Sequence, residues 1–246
     1  MGVVNSVNTN RMQVGAEPTL TRQLGPVLGI VLSLALLAGC AGTTRLELDS
    51  TRFPVPLMSV SAVNLGVHLD TEISQFVHTE TIDKKGTWEV VLGPVQQTLF
   101  ANLSQGVFQS YEFVDDTKAP HLDGVLRPII QEVQFSLPSQ TRSNYYEVWI
   151  RYNFELYDKQ GGLLGQWSLP AYGKANKNNF GSKSVGLQEA AMAACRDAMA
   201  FFSINFAKEP VVHKWLSAGK PLAPEPQPAA TPPASETASV EAGQTT

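Results

Sequence analysis

The side chains able to do chemistry fall in a few places along the chain. His68, Asp70 and Glu72 alternate, so on an extended strand they would share one face and offer an imidazole and two carboxylates, the donor types that hold a divalent metal. His121 and Asp123 repeat the spacing with fewer donors. Neither set closes a coordination shell by itself, and a solvent-facing polar edge accounts for both, so no metal and no cofactor is expected. Nucleophilic catalysis needs a serine or cysteine beside a base and an oxyanion site. There is no G-x-S-x-G, and Gly161-Gly162 reads as a turn and not as a phosphate-binding loop. Of the two cysteines, Cys195 stands among apolar residues at helical spacing and reads as a buried structural thiol, while Cys40 ends an apolar run. The remaining group lies on the stretch Tyr145 to Asp158. Its odd positions include Tyr145, Trp149, Arg151 and Tyr157, and aromatic residues and arginine are the types that dominate protein interfaces. That face is the candidate partner surface, against the plainer reading of a half-exposed aromatic face, and no catalytic residue is assigned.

Cys40 gains its meaning from what precedes it. No residue from Gln23 to Thr44 is charged, and Gly25 to Leu37 reads GPVLGIVLSLALL. Arg11 and Arg22 come before it, with Glu17 as the sole acid, which is the layout of an export signal. A start at Met1 leaves a long charged region and a start at Met12 a more usual one, and both remain open. The run closes on Leu37-Ala38-Gly39-Cys40, which resembles position by position the lipobox of bacterial lipoproteins. The resemblance implies that the Cys40 thiol receives a diacylglyceryl group, the thiolate being the nucleophile that forms the thioether. It also implies cleavage between Gly39 and Cys40 by a dedicated peptidase and acylation of the freed amine. One acyl chain binds a membrane reversibly, whereas two or three anchor stably. Relatives held at the inner membrane carry an aspartate after the cysteine. Ala41 therefore implies an outer-membrane anchor with the protein facing the periplasm, the inner membrane being the alternative. An uncleaved transmembrane helix over Leu24 to Ala41 competes with this reading. It would contain three glycines and a proline, and its strongly apolar core of about a dozen residues falls short of the ~20 that a span needs.

The chain has 246 residues, a formal charge of −4 and 43% apolar residues, which suits an ordinary globular domain. It shows no basic stripe and no run of like charges, so nucleic acid is not an expected partner. With Cys40 lipidated, Cys195 has no partner for an intrachain disulfide. Residues 1–39 read as a signal peptide, 40–56 as a lipid-anchored linker and 57–217 as the folded domain. Residues 218–246 read as a disordered Pro/Ala-rich tail, with six prolines and no aromatic residue to bury.

Within the domain, Leu57 to Leu65 and Gly66 to His78 read as strands, and Asp83-Lys84-Lys85-Gly86 as a turn. Val95, Leu99, Leu103 and Val107 recur at helical spacing after Pro94, with Trp88 to Leu92 as an earlier turn of the same helix. A short strand follows at Tyr111 to Val114. A long one spans Asp123 to Leu137, with Val125, Ile129, Val133 and Phe135 on one face. Tyr146, Val148, Ile150, Tyr152, Phe154 and Leu156 give the next strand a period of two and a core side. Asp158 to Gly162 turns the chain into a partner strand, Leu163 to Ala175. Ser184 then caps a helix that runs to about Glu209, where Pro210 stops it. Its apolar side is broad and alanine-rich: Leu187, Ala191, Ala194, Ala198 and Phe201.

This order predicts an α+β fold, an antiparallel sheet with two main helices packed on one face. It resembles a group of envelope lipoprotein domains: the LPS-assembly lipoprotein, the TolB N-terminal domain and ABC-transporter auxiliary lipoproteins. The likeness covers roughly Leu57 to Leu216 and rests on element order, the hairpin at Phe154 to Trp167 and a last helix ending near Trp215-Leu216. It implies a non-catalytic envelope lipoprotein, an accessory or assembly component with a protein partner in an envelope complex. A carrier of lipid or a small ligand and an envelope hydrolase without a recognisable motif are the alternatives.

Overall fold

The structure is a computed structural model that describes residues 42–218. The segment expected to be a signal peptide, with Leu37, Ala38 and Gly39, the expected lipidation site Cys40, and the residues from Gly219 onward lie outside the described residues. The fold is α+β. The chain runs β1 (Thr43–Glu47), β2 (Ser61–Val67), α1 (Thr71–Ser74), β3 (Val77–Ile82), β4 (Gly86–Val91) and α2 (Gly93–Val107). It continues through β5 (Phe108–Phe113), β6 (Gly124–Ser136), α3 (Pro138–Thr141), β7 (Tyr145–Asp158), β8 (Leu163–Asn176), α4 (Lys183–Asn205) and α5 (Pro210–Ala218). The strands form two sheets among the described residues, ordered β1-β4-β3 and β5-β2-β6-β7-β8. The long pairings β6–β7 and β7–β8 and the β3–β4 hairpin are antiparallel, while β1–β4, β2–β5 and β2–β6 are parallel.

The two long helices share the inner face of the larger sheet. All six even positions from Tyr146 to Leu156 are buried there. Phe100 of α2 meets Tyr152 and Phe154 edge-on, with ring centroids 6.4 and 6.2 Å apart, and Phe202 of α4 lies 5.0 Å from Phe154. α4 approaches β8 closely enough that a side chain at Gly173 would collide with the backbone of Ala190 and Ala194, which explains the helix's alanines. Leu46 of β1 and Trp88 and Val90 of β4 join the same core, so the smaller sheet is part of one continuous apolar interior.

Several sequence expectations are corrected here. The stretch 40–56 is not a linker over its described part. Thr43 to Glu47 is a parallel partner of β4, Leu46 is 2% exposed, and Phe53 is buried after a 3-10 turn at Ser50–Arg52. Leu57 to Val60 forms no strand. Gly66 to His78 is broken by α1, whose N-cap Asp70 accepts the Ile73 amide at 3.0 Å. Trp88 to Leu92 is strand β4 and its exit, with Trp88 and Val90 inward at strand spacing. In β6 the register shifts between Ile130 and Glu132, where Gln131 forms a bulge. An extra residue flips the alternation. Leu126 and Ile130 therefore face the core before the bulge and Val133 and Phe135 after it, while Val125 and Ile129 face the other side. Ser182, not Ser184, caps α4 through the Val185 amide. Pro210 does not stop a helix but opens α5, in the first turn where proline fits.

Candidate functional site

The odd positions of β7 form the outer face of the larger sheet, and register decides who surrounds them. Glu147, Trp149 and Arg151 sit opposite Ser136, Gln134 and Glu132 of β6, and opposite Lys174, Tyr172 and Pro170 of β8. Trp149 is 41% exposed and rests on the Tyr172 ring, centroids 5.2 Å apart. The Tyr172 hydroxyl donates to Glu147 Oε1 at 2.7 Å, and Ser136 donates to the other Glu147 oxygen at 3.1 Å. Burial, then the Glu147 carboxylate, push the Tyr172 phenol up to about 12, so it stays a donor at any physiological pH. Arg151 pairs with Glu132 at 2.9 Å, and Lys174 lies over the Tyr145 ring at 5.2 Å. Trp149, Arg151, Glu132 and Pro170 border a shallow hollow of about 230 Å³. This end of the face offers an aromatic platform flanked by one acid–base pair.

Tyr157 belongs to the opposite end of the same face, and its surroundings differ. The segment 114–123 folds over that end and places Ala119 and Leu122 on Val125, making a small second core against which Val114 and Tyr157 pack. Gly66 leaves room for it, since a methyl there would lie 3.0 Å from both Leu122 and Val125. The Tyr157 hydroxyl donates to Glu155 at 2.7 Å, and Arg127 bridges Glu155 at 2.9 Å and Asp70 at 2.6 Å. Burial works to raise the Asp70 carboxyl, but the Ile73 amide and Arg127 outweigh it and hold Asp70 below the usual range. The four residues predicted to form one surface therefore share a face but not a surface. Tyr145, Trp149 and Arg151 are open, and Tyr157 is covered.

The metal-type spacings dissolve in three dimensions. His68 follows β2 with its ring Nδ1 3.0 Å from the Val114 carbonyl, Asp70 caps α1, and Glu72 is exposed on α1. His121 pairs with Glu112, whereas Asp123 accepts the Asn64 amide at 2.8 Å. No group of three or more His, Cys, Asp or Glu side chains among the described residues is placed to hold a metal ion. Cys195 is buried on the apolar side of α4, and burial pushes its thiol up to about 12, which keeps it protonated and unreactive.

One feature of the surface was not legible in the sequence. Pro54, Pro56, Leu57 and Met58 run irregularly beside α4 and, with Met199 and Ile204, line an apolar groove of about 360 Å³. Leu57 is 100% exposed and Ile204 63%. The sequence divides this run between a linker ending at Pro56 and a strand starting at Leu57, and the outward tilt of Ile204 is hidden in a helix apolar on most sides.

No protein-family model matches the chain, and no curated protein matches it. Among solved structures it is similar to a Xanthomonas campestris protein of the DUF330 family, at TM-score 0.42 and 8% identity, over 68% of this chain and 98% of that one. It is also similar to a candidate lipoprotein from Caulobacter crescentus (TM-score 0.35, 13% identity, 52% and 84% covered). A third is a minor lipoprotein from Acinetobacter baumannii (TM-score 0.35, 16% identity, 61% and 94% covered). The overlays are too distant for any residue's role to be carried across.

Proposed function

We propose that this chain is a non-catalytic lipoprotein of the bacterial cell envelope, held by acyl chains on Cys40 to the outer membrane on its periplasmic side, where it serves as an accessory or assembly component of a larger complex. The observation that carries this reading is the Leu37-Ala38-Gly39-Cys40 sequence closing an uncharged apolar run that follows Arg11 and Arg22. The open aromatic end of the sheet supports the partner role, because clustered exposed aromatics beside arginine are what interfaces use. Mass spectrometry of the protein extracted from native membranes is the test. The mature N-terminus is expected at Cys40 bearing a diacylglyceryl group, and Cys40→Ser is expected to accumulate as unprocessed precursor. A mature end elsewhere, or an unmodified Cys40, overturns the reading.

The groove between Leu57, Met58 and Ile204 favours a second reading, a carrier for lipid or a small apolar ligand. Solvent extraction of the native protein would then yield a lipid that an Ile204→Asp variant no longer retains. A clean extract from the unaltered protein removes this reading.

A further inference from the structure

We infer that the end of the domain bearing Lys84, Lys85, Lys177 and Lys183 docks on the anionic phospholipid headgroups of the leaflet that holds the Cys40 acyl chains, so that the protein stands on the membrane in a set orientation. The inference rests on the lipidation proposed above and adds a surface and a posture to it.

Little chain lies between the anchor and the fold. Cys40 precedes Gly42 by two residues, so its Cα lies within about 7 Å of Gly42's. Thr43 is already in β1, hydrogen-bonded alongside β4. A domain tethered this closely has one end at the headgroups whatever its posture, and that end is the one around Gly42.

What surrounds Gly42 is basic. The Gly42 carbonyl rests on Gly86, whose φ of +79° and crowding leave no room for a side chain: a Cβ there would come within 2.6 Å of that oxygen. Gly86 closes the turn that carries Lys84 and Lys85, and Lys183, in the first turn of α4, borders the same hollow. Lys183 also borders a neighbouring hollow with Lys177. All four lysines are exposed, and none is in an ion pair among the described residues. Asp83 is the acid that lines the first of these hollows, and none lines the second.

The far end has the opposite sign. β7 starts opposite Asn176, next to Lys177, and ends at Asp158 opposite Gly124. Its 14 residues span roughly 45 Å at strand rise. Glu112, Asp115, Asp116, Asp123 and Asp158 cluster there against Lys118 and Lys159. An anionic leaflet attracts the first end and repels the second. Each lysine at such a surface favours contact by about fivefold, so three together favour the basic-end-down posture by more than about 100-fold at low salt. The preference fades as salt shortens the screening length from about 10 Å at 0.1 M to about 3 Å at 1 M.

The test uses the full lipidated protein reconstituted into phosphatidylcholine vesicles with and without phosphatidylglycerol. A donor fluorophore on Lys159→Cys, at the acidic tip, reports its height through energy transfer to acceptor-labelled lipid. Transfer is expected to be low on phosphatidylglycerol vesicles, to rise severalfold on phosphatidylcholine alone or in high salt, and to rise equally in a Lys84→Gln, Lys85→Gln, Lys183→Gln variant. The corresponding triple arginine variant should keep the low value, which separates charge from any structural role of the lysines. Equal transfer across lipids and variants, in protein whose mass spectrum shows acylated Cys40, overturns the docking and leaves the anchor standing. An unacylated Cys40 in the same spectrum overturns both.

Discussion

The two ends of the outer face of β7 carry the same kinds of residue and have opposite fates. Near its start, Trp149 packs at a tilt on Tyr172 and stays open to solvent. Near its end, Tyr157 is covered by segment 114–123 and tied to Arg127 through Glu155. Both residues lie on the same face of β7, although its pairing with β8 shifts register between Leu156 and Tyr157, and the difference comes chiefly from what the rest of the chain can reach. The excursion between β5 and β6 is long enough to fold back over Gly66 and Val125, and the missing side chain at Gly66 makes the room. At the other end α3 is a single short turn, and nothing among the described residues covers Trp149. An aromatic residue on a strand is thus core or surface according to the loops beside it, and its own position in the alternation does not decide.

The largest effect that sharpens this contrast lies on the inner face, which sets the scale. Phe154 is buried between Phe100, Tyr152, Trp167 and Phe202. Phe154→Ala is expected to cost about 3–5 kcal/mol, read by chemical denaturation. Tyr157→Ala should come next, at about 1–3 kcal/mol, because it loses the packing of the small second core and leaves Glu155 with one partner fewer. If Tyr157→Ala proved as mild as a surface change, segment 114–123 would not be a cover and the two ends would be alike.

Acid gives a third and smaller lever on the closed end. Asp70 is held below the usual carboxylate range there, and Glu189 on α4 is likewise lowered, chiefly by its hydrogen-bonded pair with Arg52. A carboxylate whose folded pKa is depressed stabilises the fold above its unfolded pKa and loses that contribution as pH falls through the folded value. The melting temperature is therefore expected to hold from neutrality to about pH 5 and to fall below about pH 4. Asp70→Asn should lower the plateau and flatten the fall. An unchanged acid slope would detach Asp70 from the stability of that end.

How much of this was readable depends on the range of the forces involved. The alternation from Tyr146 to Leu156, the turn at Asp158, the α2 periodicity and the apolar side of α4 are local patterns, and each appears in the fold, save that Phe201, read as part of that apolar side, is 40% exposed. What failed was long-range or single-residue. β1 has only Leu46 turned into the core, and it becomes a strand by pairing with β4, some forty positions away. Trp88 to Leu92 is too short an apolar run to distinguish strand from helix by period. The Gln131 bulge moves Val125 and Ile129 to the opposite face, and its local mark is a single proline, Pro128, three residues earlier in the strand. The candidate face was legible as a face, since Tyr145, Trp149, Arg151 and Tyr157 do share one. Its division was not, because the cover comes from a loop whose docking depends on a glycine in another strand.

The smallest expected effect on stability is at the open end, and it decides the contrast. Trp149 packs at a tilt on Tyr172 from the solvent side, and Arg151 meets Glu132 with both side chains well exposed. A surface ion pair of this kind contributes about 0–1 kcal/mol. Losing one exposed aromatic pair costs about 0.5–1.5 kcal/mol. Trp149→Ala with Arg151→Ala should therefore cost less than Tyr157→Ala alone, and its circular-dichroism spectrum should match the parent's. The two residues are neighbours on one face about 7 Å apart, so one partner can engage both, and removing them together removes the centre of the platform. The same variant, lipidated and crosslinked in native membranes, is expected to lose a partner that the parent captures. A variant that unfolds would show that Trp149 is held as core and that the open end is not open. A variant that folds and keeps every partner would move the interface elsewhere on the domain, and the groove beside Ile204 would then be the place to look.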